Sequence, residues 1–414
     1  MNKTPAVRFI GFAEDWEQRK LGELVDRVVR KNTNNESTLP LTISAQYGLV
    51  DQITYFNNRV ASRDVSNYYL VLNGEFAYNK STSDGYPFGA VKRLDLYEKG
   101  VLSTLYIVFA PKKEQQIDSD YLTVFFDTDR WHKGVAERAA EGARNHGLLN
   151  ISAEDFFDID LSVPKDIVEQ KQIGAFIRQL DNLITLHHRK YEKLKNIKKS
   201  MLEKMFPKNG SNVPEIRFKG FTDAWEQRKL GEVGKTYSGL SGKTKDDFGH
   251  GEAKFVTYMN VFSNSVCLPN MTEAVEIDDK QNKVLFGDVL FTTSSETPEE
   301  VGMSSVWLEN AENIYLNSFC FGYRPTKEFN PYYLAYMLRS PSIREKITFL
   351  AQGISRYNIS KNKIMDIEIP IPSIVEQKQI GEHFRTLDSL ITLHHRKLEK
   401  LEQIKQAMLH KMFV

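Results

Sequence analysis

The sequence predicts an α+β protein in which two similar globular domains are separated by two long antiparallel coiled-coil helices. Three observations support this fold class: an internal repeat runs through the chain, a coiled-coil pattern follows each globular half, and each half mixes strand-like with helix-like segments. Because a single hydrophobic core stops growing at roughly 250–300 residues, a chain of 414 residues should also divide into several units.

The repeat consists of three sequence blocks that recur in the same order at offsets of 207 or 209 residues. Between the blocks the two copies share a pattern but little identity, which suggests a common scaffold that carries two different recognition surfaces. We therefore predict an internal pseudo-two-fold duplication. The matching blocks are residues 16–23 and 225–232, 168–174 and 375–381, and 183–190 and 390–397. The predicted boundaries are residues 1–164 and 216–371 for the globular domains, 165–208 and 372–414 for the long helices, and 209–215 for a linker.

Hydrophobic positions in each long helix are spaced alternately by four and three residues, which is the pattern of a coiled-coil seam. The seam of the first helix comprises Ile173, Ile177, Leu180, Ile184, His187, Tyr191 and Leu194. The seam of the second helix comprises Ile380, Phe384, Leu387, Ile391, His394, Leu398 and Leu401. The two histidines are interpreted either as partly exposed residues at tolerant positions or as a polar pair that fixes the register.

Within the globular domains, apolar and β-branched runs predict strands at residues 102–110 and 284–293. Helical patterns predict short helices at residues 121–126 and 332–338. Each domain is therefore expected to be α+β.

The formal net charge is only +1, with mildly acidic globular parts and basic helical parts, so any DNA binding would depend on local patches. The sequence contains no apolar run that could span a bilayer, and its first residues lack the apolar stretch of a signal peptide. We therefore expect a cytoplasmic protein with no membrane partner. Cys267 and Cys320 are the only cysteines, which predicts neither a disulfide framework nor a zinc site.

Three short motifs are similar to catalytic signatures, but two of them fit a helix start better and the third is incomplete. Asn-Pro-Tyr-Tyr at residues 330–333 is similar to a loop of adenine methyltransferases, yet Asn followed by Pro is typical of a helix start. Gly-Lys-Thr at residues 242–244 ends like a phosphate-binding loop but lacks its leading glycine. Glu-Gln-Lys at residues 169–171 and 376–378 imitates a metal-dependent nuclease, but it falls in a first helical turn. We predict binding without catalysis and no metal site.

The repeated blocks resemble the conserved regions of type I restriction-modification specificity subunits. The resemblance rests on Val-Pro or Ile-Pro at residues 163–164 and 371–372, on the Val-Glu-Gln-Lys-Gln-Ile-Gly block, and on Leu-Asp-x-Leu-Ile-Thr-Leu in each helix. Each half also opens with Arg-Phe-x-Gly-Phe, followed by Trp-Glu-Gln-Arg-Lys-Leu-Gly-Glu. The resemblance covers nearly the whole chain, in order and twice.

This resemblance implies two target-recognition domains, each of which reads one half of a bipartite, asymmetric DNA sequence. The helices would act as a spacer and as the docking surface for two methyltransferase subunits, which two restriction/translocase subunits would join. S-adenosylmethionine, ATP and magnesium would belong to these partners, and no cofactor is expected on this chain. The chain would be non-catalytic and would direct adenine methylation and DNA cleavage by the complex. The alternative is a coiled-coil scaffold or adaptor that spaces two protein-binding domains.

Polar loops at equivalent places in the two copies are the candidate DNA contacts, because donors and acceptors there could reach phosphates and base edges. In the first copy they are Ser44, Gln46, Tyr47, Asn79, Lys80, Ser81, Arg144, Asn145 and His146. In the second copy they are Tyr258, Asn260, Thr292, Thr293, Ser294, Ser355, Arg356 and Tyr357. Arg144 and Arg356 are the strongest choices, because both are basic and lie among polar, turn-forming residues. The alternative for each residue is a turn or strand end whose side chain satisfies backbone groups.

Overall fold

The computed structural model describes residues 4–44, 47–83, 85–139, 147–208 and 210–414. The chain divides into two compact units, Met1–His187 together with Lys397–Val414, and His188–Arg396. Each unit therefore combines one globular domain with segments of two long helices, Ile167–Lys204 and Ile374–Lys411.

The globular part of the first unit contains short strands and helices, as the α+β prediction requires. Its strands are β1 (Glu17–Lys20), β2 (Val25–Arg27), β3 (Leu41–Ser44), β4 (Gly48–Asp51), β5 (Tyr69–Leu72), β6 (Phe76–Asn79), β7 (Ala90–Arg93), β8 (Lys99–Leu102), β9 (Ile107–Pro111) and β10 (Asp160–Val163). Its helices are α1 (Leu21–Leu24), α2 (Gln52–Phe56), α3 (Ser119–Phe126), α4 (His132–Arg138) and α5 (Ala153–Phe157), followed by the long helix α6 (Ile167–Lys204). The largest sheet has the strand order β2-β9-β6-β7, and β1-β10, β3-β4 and β5-β8 form antiparallel pairs.

The core of the first unit is rich in aromatic side chains from the largest sheet and from the helices beside it. Phe76 and Phe109, on paired strands, stack with ring centroids 5.3 Å apart. Tyr78 stacks on Phe156 of α5 at 4.3 Å. These rings are almost completely buried, so they supply much of the apolar area that stabilises the sheet.

The second unit repeats this plan with different details. Its strands are β11 (Glu226–Lys229), β12 (Gly234–Ser238), β13 (Phe248–Val256), β14 (Thr272–Val275), β15 (Val289–Thr292), β16 (Ser294–Ser295), β17 (Ser304–Val306), β18 (Ile314–Leu316), β19 (Cys320–Pro325), β20 (Tyr357–Asn358) and β21 (Glu368–Ile371). Its helices are α7 (Leu230–Val233), α8 (Tyr258–Ser263), α9 (Pro331–Met337), α10 (Pro341–Phe349), α11 (Lys361–Met365) and the long α12 (Ile374–Lys411). The main sheet has the order β12-β19-β15-β17, and β14-β13-β18 forms a second sheet in which β13 and β18 are parallel.

Both predicted short helices are confirmed as α3 and α9, and both begin at a side-chain cap. The carboxylate of Asp118 accepts a hydrogen bond from the N–H of Tyr121 at 2.9 Å, and the amide oxygen of Asn330 accepts one from Tyr333 at 3.0 Å. Asn-Pro-Tyr-Tyr is therefore a helix start, with Pro in the first turn of α9.

The two predicted strands are wrong in extent, because turns interrupt both apolar runs. At residues 103–106 the chain turns between β8 and β9, where the N–H of Tyr106 donates to the carbonyl of Ser103 at 3.2 Å. In the second copy only β15 is a strand, because Gly287 adopts a positive φ of 86° just before it. Continuous apolar composition does not reveal such a turn.

A buried ion pair fixes the first turn of each long helix. Glu169 is only 1% exposed and accepts two hydrogen bonds from the guanidinium of Arg8, at 2.6 and 2.8 Å. Glu376 receives the same bidentate contact from Arg217, at 2.7 and 2.9 Å. In each copy the opening Arg-Phe segment is thus bound to the Glu-Gln-Lys block of the helix.

The seam residues of the long helices are turned inward, and the first three in each helix enter the core of a globular domain. Ile173, Ile177 and Leu180 belong to the first core, and Ile380, Phe384 and Leu387 belong to the second. Leu398 is buried, and the other seam positions, Ile184, His187, Tyr191, Leu194, Ile391, His394 and Leu401, are partly buried.

Within each unit, the two helical segments run antiparallel. In the second unit Tyr191 packs on His395, with ring centroids 5.4 Å apart, and Lys198 forms an ion pair with Asp388 at 2.5 Å. Residues later in α6 therefore contact residues earlier in α12. In the first unit Lys405 forms the equivalent ion pair with Asp181 at 2.6 Å. The antiparallel prediction is confirmed, while the coiled-coil geometry stays a prediction.

Candidate nucleic-acid interface

In the first unit, the segment that leaves β6 meets the segment that precedes α5. The N–H of Thr82 donates to the carbonyl of Gly147 at 2.7 Å, and the N–H of Leu149 donates to the carbonyl of Lys80 at 2.9 Å. Sequence-predicted Asn79, Lys80 and Ser81 lie in this paired segment. This segment continues the chain beyond the last sheet pairing of β6, so its side chains lie at that end of the sheet.

The three predicted residues of this segment differ in what their side chains do. The amide oxygen of Asn79 accepts from the N–H of Ser81 at 3.0 Å, which shapes the turn. The ammonium of Lys80 donates to the carbonyl of Ile151 at 3.3 Å. Ser81 is exposed. Lys80 and Ser81 remain the residues of this segment that could meet a phosphate.

The other predicted residues of the first copy fall on the β3–β4 hairpin or outside the described residues. Ser44 is almost fully buried, and its hydroxyl accepts from the N–H of Tyr47 at 3.2 Å. It therefore serves the turn, and we do not keep it as a contact, whereas Tyr47 is exposed. Gln46, Arg144, Asn145 and His146 lie outside the residues that the structure describes.

The second unit repeats the same main-chain pairing. The N–H of Ile359 donates to the carbonyl of Thr293 at 3.0 Å, and β16 pairs with β20 so that Ser295 faces Tyr357. The hydroxyl of Tyr258 donates to the carbonyl of Ser294 at 2.7 Å. Predicted residues from three separate parts of the sequence are thus brought together at one end of the sheet.

Burial excludes three of the predicted residues from this surface. Asn260 is completely buried, and its amide nitrogen donates to the carbonyls of Leu268 and Met271 at 2.8 and 3.0 Å. The hydroxyl of Thr292 accepts from the N–H of Met303 at 3.0 Å, and Ser294 is also buried. These side chains are buried within the domain, so the prediction that Asn260, Thr292 and Ser294 contact DNA is wrong.

Arg356 is an exposed cation at this surface. Its side chain and that of Ser355 are exposed, and its guanidinium makes no hydrogen bond or ion pair with the described residues. Burial raises the pKa of Tyr258, and the charges of Glu300 and Arg356 act on the same hydroxyl in opposite directions. Arg356 precedes Tyr357, which pairs with Ser295, so its guanidinium donors are available at this surface to an anion or a base edge.

Comparison with known proteins identifies the repeated domain. The sequence profile of the type I restriction modification DNA specificity domain matches residues 13–196 and 222–403. The chain belongs to this family. The specificity subunit of type I restriction enzyme MjaVIII from Methanocaldococcus jannaschii is 23% identical over 436 residues, which cover 96% of this chain and 92% of the relative. That of StySPI from Salmonella potsdam is 33% identical over 134 residues, 31% of this chain and 29% of the relative.

A solved specificity subunit has a similar fold. The S subunit of the type I restriction-modification system of M. genitalium matches with a TM-score of 0.55 at 14% identity, over 99% of each chain. The resemblance inferred from the repeated blocks is thus confirmed, and so is the internal repeat of two specificity domains.

Two half-buried arginines of the second specificity domain were not predicted from the sequence. Arg339 donates to the carbonyls of Ser304, Val261, Phe262 and Asn264, at 2.6 to 2.9 Å. Arg344 donates to those of Gly302, Val301 and Glu299, at 2.6 to 2.8 Å. Burial lowers the pKa of each guanidinium to about 10. Both arginines bind main-chain carbonyls of segments distant in sequence, which no local sequence pattern could have signalled.

The nuclease-like triplet of each specificity domain is structural. The Glu169 carboxylate is occupied by Arg8, and the indole N–H of Trp16 approaches it at 3.4 Å. The amide oxygen of Gln170 accepts from the N–H of Asp118 at 2.8 Å. Among the described residues no group of His, Cys, Asp and Glu could hold a metal ion. Across the same residues, no helix has the length and apolar character to cross a membrane.

Proposed function

We propose that this chain reads a bipartite, asymmetric DNA target, one half with each specificity domain, and directs adenine methylation and DNA cleavage by partner subunits. The observation that carries this proposal is the repeated pairing of Lys80 with Leu149 and of Thr293 with Ile359. The same main-chain frame presents different side chains in the two domains. Two different readers on one frame suit two unlike half-sites.

The partners in this proposal are two methyltransferase subunits and two restriction/translocase subunits. Support comes from the repeated block at residues 183–190 and 390–397, which is identical in the two helices. Its leucines are 38–46% exposed, at Leu183, Leu186, Leu390 and Leu393. Identical exposed apolar positions suit two identical partners. The proposal assigns S-adenosylmethionine, ATP and magnesium to the partner subunits and no catalytic step to this chain.

The first test substitutes Arg356, an exposed cation at the candidate interface of the second domain. Arg356→Ala should weaken recognition of one half-site by about fivefold or more, because one good base contact is worth ~1–3 kcal/mol. The measurement is mapping of methylated adenines in cells that express the chain with the methyltransferase subunits of its own system.

Lys327→Ala is the matched control, because Lys327 is an exposed cation beyond the other end of β19. It should leave the methylated motif unchanged. A wild-type motif that is not bipartite would contradict the proposed function. If Arg356→Ala weakened recognition of both half-sites equally, the assignment of Arg356 to the interface would be contradicted. A scaffold without DNA recognition would give no motif and no salt-dependent DNA affinity.

A further inference from the structure

A large apolar side chain is exposed at the same sheet position in both specificity domains. In the first, Tyr78 pairs with Ile107; Leu105 lies two residues before Ile107, in the turn that enters β9, and Lys80 lies two residues after Tyr78. In the second, Thr292 pairs with Cys320, and Phe319 lies opposite Thr293. Leu105 is 64% exposed and Phe319 is 57% exposed. Both side chains are therefore at the sheet end that carries the candidate interface.

The backbone of each residue is held in a turn while its side chain is left open. The N–H of Phe319 donates to the amide oxygen of Asn317 at 2.8 Å, and its carbonyl accepts from the N–H and hydroxyl of Thr293 at 3.1 and 2.8 Å. The N–H of Leu105 donates to the hydroxyl of Ser103 at 3.4 Å. Such side-chain to backbone bonds fix a turn. Thr293, a predicted DNA contact, thus acts through its bond to Phe319.

Packing does not account for an apolar residue at this place. Single exposed apolar residues are common on protein surfaces, so exposure alone would mean little. Here, however, the position recurs in two domains whose sequences otherwise diverge, and it adjoins the interface both times. A leucine and a phenylalanine differ in shape, as two readers of unlike half-sites should.

We propose that Leu105 and Phe319 are specificity-determining residues that contact thymine C5-methyl groups in the major groove, one in each half-site. This inference rests on the proposed function. The thymine methyl is the apolar group that a standard base pair presents in the major groove, and leucine- or phenylalanine-like surfaces suit it better than polar ones. Burial of a methyl group against such a side chain also excludes water from it.

The first experiment compares motifs selected from a pool of random DNA duplexes. The wild-type chain with its methyltransferase subunits should enrich a bipartite motif with thymine at one or more positions in each half. Phe319→Ala should lose the thymine preference in one half-site only, and Leu105→Ala in the other half-site only. Two controls are exposed apolar residues near the opposite sheet ends, Leu96→Ala and Phe286→Ala, which should leave the motif unchanged.

The second experiment replaces each thymine of the selected motif by uracil, which lacks only the methyl group. Wild type should lose about three- to fourfold in affinity at the contacted position, the value of one buried methyl. Phe319→Ala should bind the thymine and uracil duplexes of its half-site equally. Thermal unfolding of each variant confirms that the fold is retained.

The outcomes separate this inference from the proposed function. If the wild-type complex enriches no bipartite motif, the proposed function fails and this inference fails with it. If wild type enriches such a motif but both variants select it unchanged, only the inference is overturned. If each variant instead loses the same factor of affinity for the thymine and the uracil duplex, the wild-type preference for thymine persists. That result would assign the side chains to wedges between base steps and would overturn the methyl contact.

Discussion

At the residue scale, the two buried carboxylates Glu169 and Glu376 join the start of each domain to its helix. Glu169 is 1% exposed and its partner Arg8 is 14% exposed, so the pair lies largely out of water. Removing one partner of such a pair leaves the other charge buried and uncompensated. The contact is repeated by Arg217 and Glu376 in the second unit.

Glu169→Gln should lower the free energy of unfolding of the first unit by about 3 kcal/mol, because the Arg8 guanidinium would lose its counter-charge. Limited proteolysis at increasing denaturant concentration should show that the first unit unfolds before the second. Glu376→Gln is the matched variant and should reverse that order. Equal stability of wild type and both variants would contradict the structural role of the pair.

Sequence polarity could not separate residues that face outward from residues that serve their own loops. Asn260 and Thr292 are polar and lie in loop-like sequence, yet both are buried and hydrogen-bonded within the domain. Arg356 has the same local character and is exposed. The difference depends on contacts with residues distant in sequence, such as Met303, which no local pattern contains. Phe319 was missed for the opposite reason, because apolar residues are expected in cores.

At the element scale, the long helices were the most predictable part of the fold. Their spacing of apolar residues extends over many turns, and each helix spans 38 residues. Strand ends were less predictable, since single turns at residues 103–106 and at Gly287 stop them. One helix position also differs between copies, because Phe176 of α6 corresponds to His383 of α12.

The surroundings of His383 predict that the packing of α12 depends on pH. Its ring packs on Phe218 with centroids 5.9 Å apart, as Phe176 packs on Phe9 at 6.0 Å in the first unit. Its Nε2 is buried without a hydrogen-bond partner among the described residues. Burial lowers the pKa of His383, so the folded state favours the neutral ring. Stability from this group is present above the unfolded pKa of about 6.5 and is lost as pH falls below it.

His383→Phe should raise the free energy of unfolding at pH 7 by about 1 kcal/mol, because it removes an unsatisfied polar atom and recreates the aromatic pair of the first unit. The variant should also lose less stability than wild type between pH 7 and pH 5. Thermal unfolding across this range measures both effects. Phe176→His in the first unit is the reciprocal variant and should introduce the pH dependence there. A variant with the wild-type pH profile would show that His383 does not contribute.

At the scale of the whole molecule, the same two kinds of contact join the C-terminal end of a long helix to the globular domain in each unit. In the second unit the N–H of Ile216 donates to the carbonyl of Lys204 at 2.9 Å, and Phe206 packs on Tyr333 at 5.9 Å. In the first unit Val7 donates to Lys411 at 3.0 Å, and Phe413 stacks on Tyr121 at 5.5 Å. The duplication seen in the sequence predicted this equivalence in outline. It could not show that the last turn of α12 completes the first core, because that contact joins residues about 400 positions apart.

These contacts predict that the chain can be circularly permuted. In the second unit, residues 205–215 connect Lys204 to Ile216, which is eleven residues. Residues 412–414 joined to residues 1–6, with two glycines added, would bridge Lys411 and Val7 with the same number. New ends between Gly210 and Ser211 would fall at an exposed place. The permuted chain should fold and direct methylation of the same bipartite motif, with stability within about 1 kcal/mol of wild type, since each unit keeps its contacts.

The control is a chain with the same joined ends that is opened after Tyr191, in the middle of α6, where the break interrupts helical hydrogen bonds. It should lose stability and methylation, while the chain opened after Gly210 retains both. Thermal unfolding and mapping of methylated adenines check the two chains side by side. If opening after Gly210 abolished folding while the motif of the unpermuted chain was normal, the contacts of Lys204 with Ile216 and of Lys411 with Val7 would not be equivalent. The Lys411–Val7 contact would then depend on the order of the chain and not on the shared frame of the two domains.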